Sequence, residues 1–147
     1  MRLGGPVFGD VSTPERWIEG IRRHGYGAAY CPVDKTASDD VVREYVVAAA
    51  GAGVVIAEVG AWSNPLSPSA DEAKAALENC QAQLDLADRI GARCCVNIAG
   101  SRGAQWDGPD PRNLTDETFD LIVECVRKIV DAVKPVRSYY TLETMPW

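Results

Sequence analysis

Two glutamates end apolar runs, where a carboxylate needs either a partner or a task. Glu58 lies near the end of the run 54–59, and Glu143 closes the run 139–143. In a strand, side chains alternate between faces, so each carboxylate points either at packed helices or into an interior cavity. A buried carboxylate without a partner is costly. Glu58 would share the side of Val54 and Ile56, and Glu143 that of Thr141. A substrate-binding or supporting role and a plain bridging or surface role are both open for Glu58. Asn97 sits in another apolar run, 94–99, with Cys95 and Ala99 on its side. A buried amide there needs a hydrogen-bonding partner, expected in the interior, so a site role follows.

The loops add candidates. Trp62 could stack on the apolar face of a sugar ring, and Asn64 could pair with hydroxyls. Equally, Trp62 could cover the mouth and Asn64 could cap the turn before Pro65. Arg102 could bind a phosphate or carboxylate, or sit in an ordinary ion pair, and Trp106 could cover a pocket. The one histidine, His24, falls at the end of the first helix, on the opposite side of the sheet from these loops. It reads as a helix-end cation. The five cysteines are odd in number and lack CxxC spacing, so they read as reduced core thiols.

The elements that must position these residues alternate. Strands are expected at 3–8, 28–31, 54–59, 94–99 and 139–143. Thr13, with Pro14 and Glu15, starts a first helix that Gly25 ends. Ser38 caps a second, with Val41, Val42, Tyr45, Val46 and Ala49 on its apolar face and Gly51 and Gly53 as stops. Ala73, Leu77, Cys80, Leu84 and Ala87 mark a third, stopped by Gly91. Thr115 opens a fourth, with Phe119, Ile122, Val123, Val126, Ile129, Val130 and Val133 on one side, and Pro135 closes it.

This β-α alternation implies a parallel sheet with right-handed crossovers. The chain has neither GxGxxG nor a Walker A motif. A partial (β/α) barrel and a flavodoxin-like open sheet both fit. The turns before the strands are short. The loops after them, 60–70 and 100–114, are long, which puts a site at the strand C-termini.

With 147 residues, 46% apolar and 24% charged, the chain reads as one soluble domain, 1–147. A net charge of -6 argues against nucleic acid or anionic membrane as partners. No apolar run is long enough to span a membrane, and a cytoplasmic location is expected.

Four stretches carry a resemblance. They are Gly25-Tyr26-Gly27-Ala28-Ala29-Tyr30, residues 57–65, Gly91-Ala92-Arg93 with Asn97-Ile98-Ala99-Gly100, and Thr141-Leu142-Glu143-Thr144. Together they resemble the xylose-isomerase-like barrels of the sugar phosphate isomerase/epimerase type. The resemblance implies a divalent metal (manganese, magnesium or zinc) at the strand C-termini, with Glu143 as a ligand and a proton-moving group. Its co-ligands would lie on strands six to eight, beyond this chain. A closed barrel needs ~200 residues or more, so the N-terminal half, about four and a half units, is expected. Tyr30 falls where many relatives carry a glutamate, which weakens the transfer of contacts there.

The implied activity is isomerisation or epimerisation of a sugar or sugar derivative through an enediolate. A dehydratase of the same fold is one alternative. A non-catalytic half-barrel that assembles with a second copy or with its other half is another. Nucleases of this fold need a histidine-rich zinc cluster, which a single histidine cannot supply.

Overall fold

A computed structural model describes residues 1–145. The elements run β1 (Gly4–Gly5), α1 (Pro14–Arg23), β2 (Ala28–Ala29), α2 (Asp39–Ala52), β3 (Val55–Ile56), β4 (Glu58–Gly60), α3 (Ala70–Ile90), β5 (Cys94–Ile98), α4 (Asp116–Val133) and β6 (Tyr139–Glu143). A single 3-10 turn, Pro111–Leu114, precedes α4.

Local chemistry sets the helix ends. The hydroxyls of Thr13, Ser38, Ser69 and Thr115 each accept the backbone N–H three residues on, relieving an orphaned donor of the first turn. Gly53 and Gly91 close α2 and α3. Lys134, at φ 53°, closes α4, because Pro135 bars it from continuing the helix. The Ser69 cap starts α3 ahead of the stretch that the apolar spacing marks.

All strand pairs are parallel, in the orders β1-β2-β3 and β4-β5-β6. The two sheets are one wall. Between β3 and β4, the Ala57 N–H donates to the Ala29 carbonyl at 2.8 Å and the Ala57 carbonyl accepts from Cys94 at 3.3 Å. Strands therefore follow sequence order across the whole wall. A flavodoxin-like sheet reverses its order at a switch point. This wall has no reversal, and its architecture is that of a half-barrel.

The helices cover one face. Trp17, Ile21, Tyr45, Leu84, Leu86 and Ile129 are buried there with Ala29, Ile56, Val59 and Cys95 of the strands. Trp17 meets Tyr45 edge-on at 5.7 Å, and the Tyr45 hydroxyl donates to the Val11 carbonyl. Ile56 and Val59 both belong to this core although they are three residues apart. Regular alternation would send them to opposite faces, so the pleat slips by one residue around Ala57.

α4 departs from its expected burial. Ile129 and Thr118 are fully buried, whereas Phe119 is 65% exposed. α4 packs on α3, and no other helix covers its far side among the described residues. No helix of the described residues is long and apolar enough to cross a membrane.

Candidate functional site

Cross-strand register defines the inner face of the wall. Glu58 aligns with Cys94 and Tyr139, Gly60 with Val96 and Thr141, and Ile98 with Glu143. The intervening residues Val59, Cys95 and Asn97 are buried on the helix side. Glu58, Gly60, Val96 and Thr141 are half-buried and Glu143 is exposed, as befits an open inner wall. Both glutamates therefore face inward.

For Glu58 the route to that placement differs from simple alternation. It does not share the face of Val54 and Ile56; the slip at Ala57 turns it to the opposite side. Burial raises its carboxyl above the ordinary glutamate range, and the charge of Glu143 raises it further.

Trp62 continues the same line. A Cβ on Gly60 would fall 2.2 Å from Trp62 Nε1 and 2.7 Å from Cδ1. Gly60 points inward, so the indole edge lies on the inner face, just past Glu58. The ring is 48% exposed. Its other side borders an open cleft of about 440 Å³, shared with Trp106, Ser63, Asn64, Glu72 and Asn79. The structure thus brings the two tryptophans to one cleft.

Asn64 is only 7% exposed, and its amide ties two loops together. Nδ2 donates to the Ser101 carbonyl at 2.7 Å, while Oδ1 accepts from the N–H groups of Ser101 and Leu66. Gly100 makes room for it: at φ 107° a Cβ would sit 2.5 Å from Asn64 Oδ1. The loop staple occupies the amide expected to meet substrate.

Asn97 corrects the expectation of an interior partner. It is fully buried but faces α3. Nδ2 donates to Cys80 Sγ and the Tyr140 hydroxyl at 3.3 Å each, and Oδ1 accepts from the Ser63 N–H at 3.1 Å. It anchors the start of the β4–α3 loop from behind the wall. Arg102 is likewise engaged away from the mouth. Its guanidinium pairs with Glu117 at 3.1 Å and reaches the Thr118 hydroxyl.

His24 caps α1 at the other end of the wall and stacks on Tyr26, with centroids 5.2 Å apart. Burial pushes the Cys31 thiol up to about 11, which suits a buried thiol and not a nucleophile. Ser101, Asn79 and Asp110 went unnoticed in the sequence. Ser101 is fully buried and donates to the Gly108 carbonyl at 2.7 Å. Asp110 pairs with Arg112, whose guanidinium holds the carboxyl near 2. Polar residues crowded into the 100–114 loop signal Ser101 and Asp110, whereas Asn79 lies within α3 and carries no such signal.

No family model matches the sequence, and no curated sequence matches it. Solved structures do match. D-psicose 3-epimerase from Clostridium cellulolyticum H10 superposes with a TM-score of 0.66 at 18% identity, over 99% of this chain and 53% of that one. The fold is that of half a TIM barrel. An L-ribulose 3-epimerase gives a TM-score of 0.62 at 20% identity, over 98% and 50% of the two chains. A xylose isomerase-like TIM barrel protein from Mycobacterium smegmatis, solved in complex with magnesium, gives 0.55 at 19% identity, over 88% and 45%. The half-barrel spans about half the length of the structures it matches.

The half-barrel's inner residues can be tested against a metal. Glu58 and Glu143 offer carboxylate oxygens, the donors that magnesium and manganese take. Among the described residues no group of three or more histidine, cysteine, aspartate or glutamate side chains converges. A divalent cation held here would draw at most one or two carboxylate ligands from this chain.

Proposed function

We propose that this chain forms the first half of a metal-dependent sugar isomerase or epimerase, with its site at the open end of the inner wall. The observation that carries the reading is the pair Glu58 and Glu143 on that wall, coupled through charge and bordered by the Trp62 indole. Barrel enzymes carry their chemistry at the strand C-termini, where Glu143 sits. The solved neighbours include sugar epimerases, which points to a sugar as substrate.

In this reading Glu143 would hold the cation, and its carboxylate takes a proton from the carbon beside the substrate carbonyl. The bound cation would polarise that carbonyl and so acidify the neighbouring C–H. Glu58, on the same inner face, accepts a hydrogen bond from a substrate hydroxyl. Trp62 stacks against the ring and keeps water from that side. A carboxylate from the rest of the barrel returns the proton to the opposite face of the enediolate. Five thiols suit a reducing cytoplasm.

The test is isotope exchange. The protein in a chain long enough to close the barrel is incubated with ketoses and manganese in D2O. Deuterium is expected at the carbon beside the carbonyl, and Glu143→Gln is expected to abolish it. Release of water in place of exchange would indicate a dehydratase. Turnover by the 147-residue chain alone would overturn the requirement for a closed barrel.

A further inference from the structure

The cleft beside the mouth has its own chemistry. Isolated exposed aromatics are ordinary on a protein surface. Here two tryptophans, 48% and 44% exposed, border one cleft of about 440 Å³. That volume lies within the ~300–1,000 Å³ of small-molecule sites, which pair apolar walls with a few convergent polar groups. The polar groups are Ser63, Asn64, Ser67, Glu72 and Asn79, of which the Asn64 amide is taken by the loop staple.

Their hydrogen bonds decide what the cleft accepts. Asn79 Nδ2 already donates to the Ala61 carbonyl and to Ser63 Oγ. Ser63 Oγ donates to the Ala61 carbonyl at 2.6 Å. Both residues have thus committed donors to the protein. The Glu72 carboxylate receives one bond, from Ser67 Oγ at 2.7 Å, through Oε2. Its remaining lone pairs can accept hydroxyl protons. No lysine or arginine lines the cleft among the described residues, the Lys35 ammonium is engaged by Asn79 Oδ1, and the Glu72 carboxylate repels anions. A ligand with a flat apolar face and outward hydroxyls fits; a phosphate does not.

Trp62 joins this cleft to the mouth. One edge of its indole lies over Gly60 on the inner wall, and the ring also lines the cleft. We propose that the cleft between Trp62 and Trp106 holds a second, uncharged sugar ring, so that the site takes a glycoside in preference to a free monosaccharide. The assignment rests on reading the mouth as a sugar site. Its test does not depend on metal or on turnover.

The 147-residue chain is titrated with methyl β-D-glucopyranoside and with cellobiose. Saturation-transfer NMR and tryptophan emission report binding. Saturable binding of both probes is expected, weakened about fivefold or more in Trp106→Ala, where one stacking face is lost. Glu72→Gln, which keeps the side chain's size, is expected to weaken it as well. His24→Ala should leave it unchanged, because His24 caps α1 at the other end of the wall. Circular dichroism confirms that each variant is folded. No saturable binding, or equal binding by Trp106→Ala, would overturn the cleft assignment and leave the metal reading standing. Binding lost in Glu143→Gln but kept in Trp106→Ala would overturn it too, by placing the sugar at the mouth.

Discussion

The indole of Trp62 rests directly on Gly60, so closely that a Cβ there would lie 2.2 Å from Nε1. Only glycine lets the edge of the ring come this close to the inner wall. Gly60→Ala is therefore expected to push Trp62 off the strand. Trp62 is half-exposed and can swing aside, so the stability cost should stay below about 1 kcal/mol. The measurement is tryptophan emission together with thermal melting. A changed emission with a nearly unchanged Tm is expected. Unchanged emission would mean that the ring does not depend on that contact.

Asp88, near the end of α3, anchors the turn into β6. Its Oδ1 accepts the N–H groups of Val136, Arg137 and Ser138, at 2.9, 2.6 and 3.0 Å. Partial burial raises its carboxyl, but the three donors and the Arg137 charge outweigh that and hold it below the ordinary aspartate range. Asp88→Ala should cost about 1.5–3 kcal/mol, the scale of hydrogen bonds to a charged group. A depressed folded pKa means stability that is present above the unfolded value of about 3.9 and lost as pH falls through the folded one. Denaturant melts between pH 2.5 and 6 should show the variant's deficit shrinking toward the acid end. A deficit independent of pH would refute the charged role.

The sequence makes the local punctuation readable, because each signal acts within a few residues. Thr13, Ser38 and Thr115 cap where their types say they should, and Gly53 and Gly91 stop their helices. The parallel sheet follows from the β-α pattern, while the strand order and the face of Glu143 come only with the cross-strand register. What stays hidden depends on contacts across the fold. Counting by twos from Ile56 puts Glu58 on the wrong set of neighbours, because the slip at Ala57 arises where one strand serves two partners. Asn97 announces a buried amide but not its direction. Its partners, Cys80 and Tyr140, lie 17 and 43 residues away. Arg102 could not reveal that α4 would hold it. The apolar stripe of α4 is plain in the sequence, yet what covers it is not written there.

Asn64 and Gly100 make a second prediction about the loops. Asn64→Ala would strip the Ser101 carbonyl and the Leu66 and Ser101 N–H groups of their partner. Buried groups left unpaired cost about 1–3 kcal/mol. Gly100→Ala should be at least as harmful, because its φ of 107° is strained for alanine and the Cβ would strike Asn64 Oδ1. Hydrogen exchange should rise across residues 61–69 and 99–110 together, since one amide joins both loops. Loosening of only one loop would show that the staple is not shared.

The pair on the inner wall gives the last prediction. Glu58 is raised by burial first and by Glu143 second. A carboxylate with a raised folded pKa favours the folded state below its unfolded value of about 4.3, and that stability is lost as pH climbs through the folded pKa. At neutral pH the ionised Glu58 therefore opposes folding. Glu58→Gln should be as stable as the parent near pH 4 and more stable at pH 7, with the gap opening across the interval between the two pKa values. Glu143→Gln should move the Glu58 titration downward, toward the ordinary range, without abolishing the shift, since burial remains. Carbon-detected NMR titration of the Glu58 carboxyl reads both effects. If Glu143→Gln left that titration in place, the two carboxylates would not sense each other, and the argument that they share one site would lose its electrostatic support.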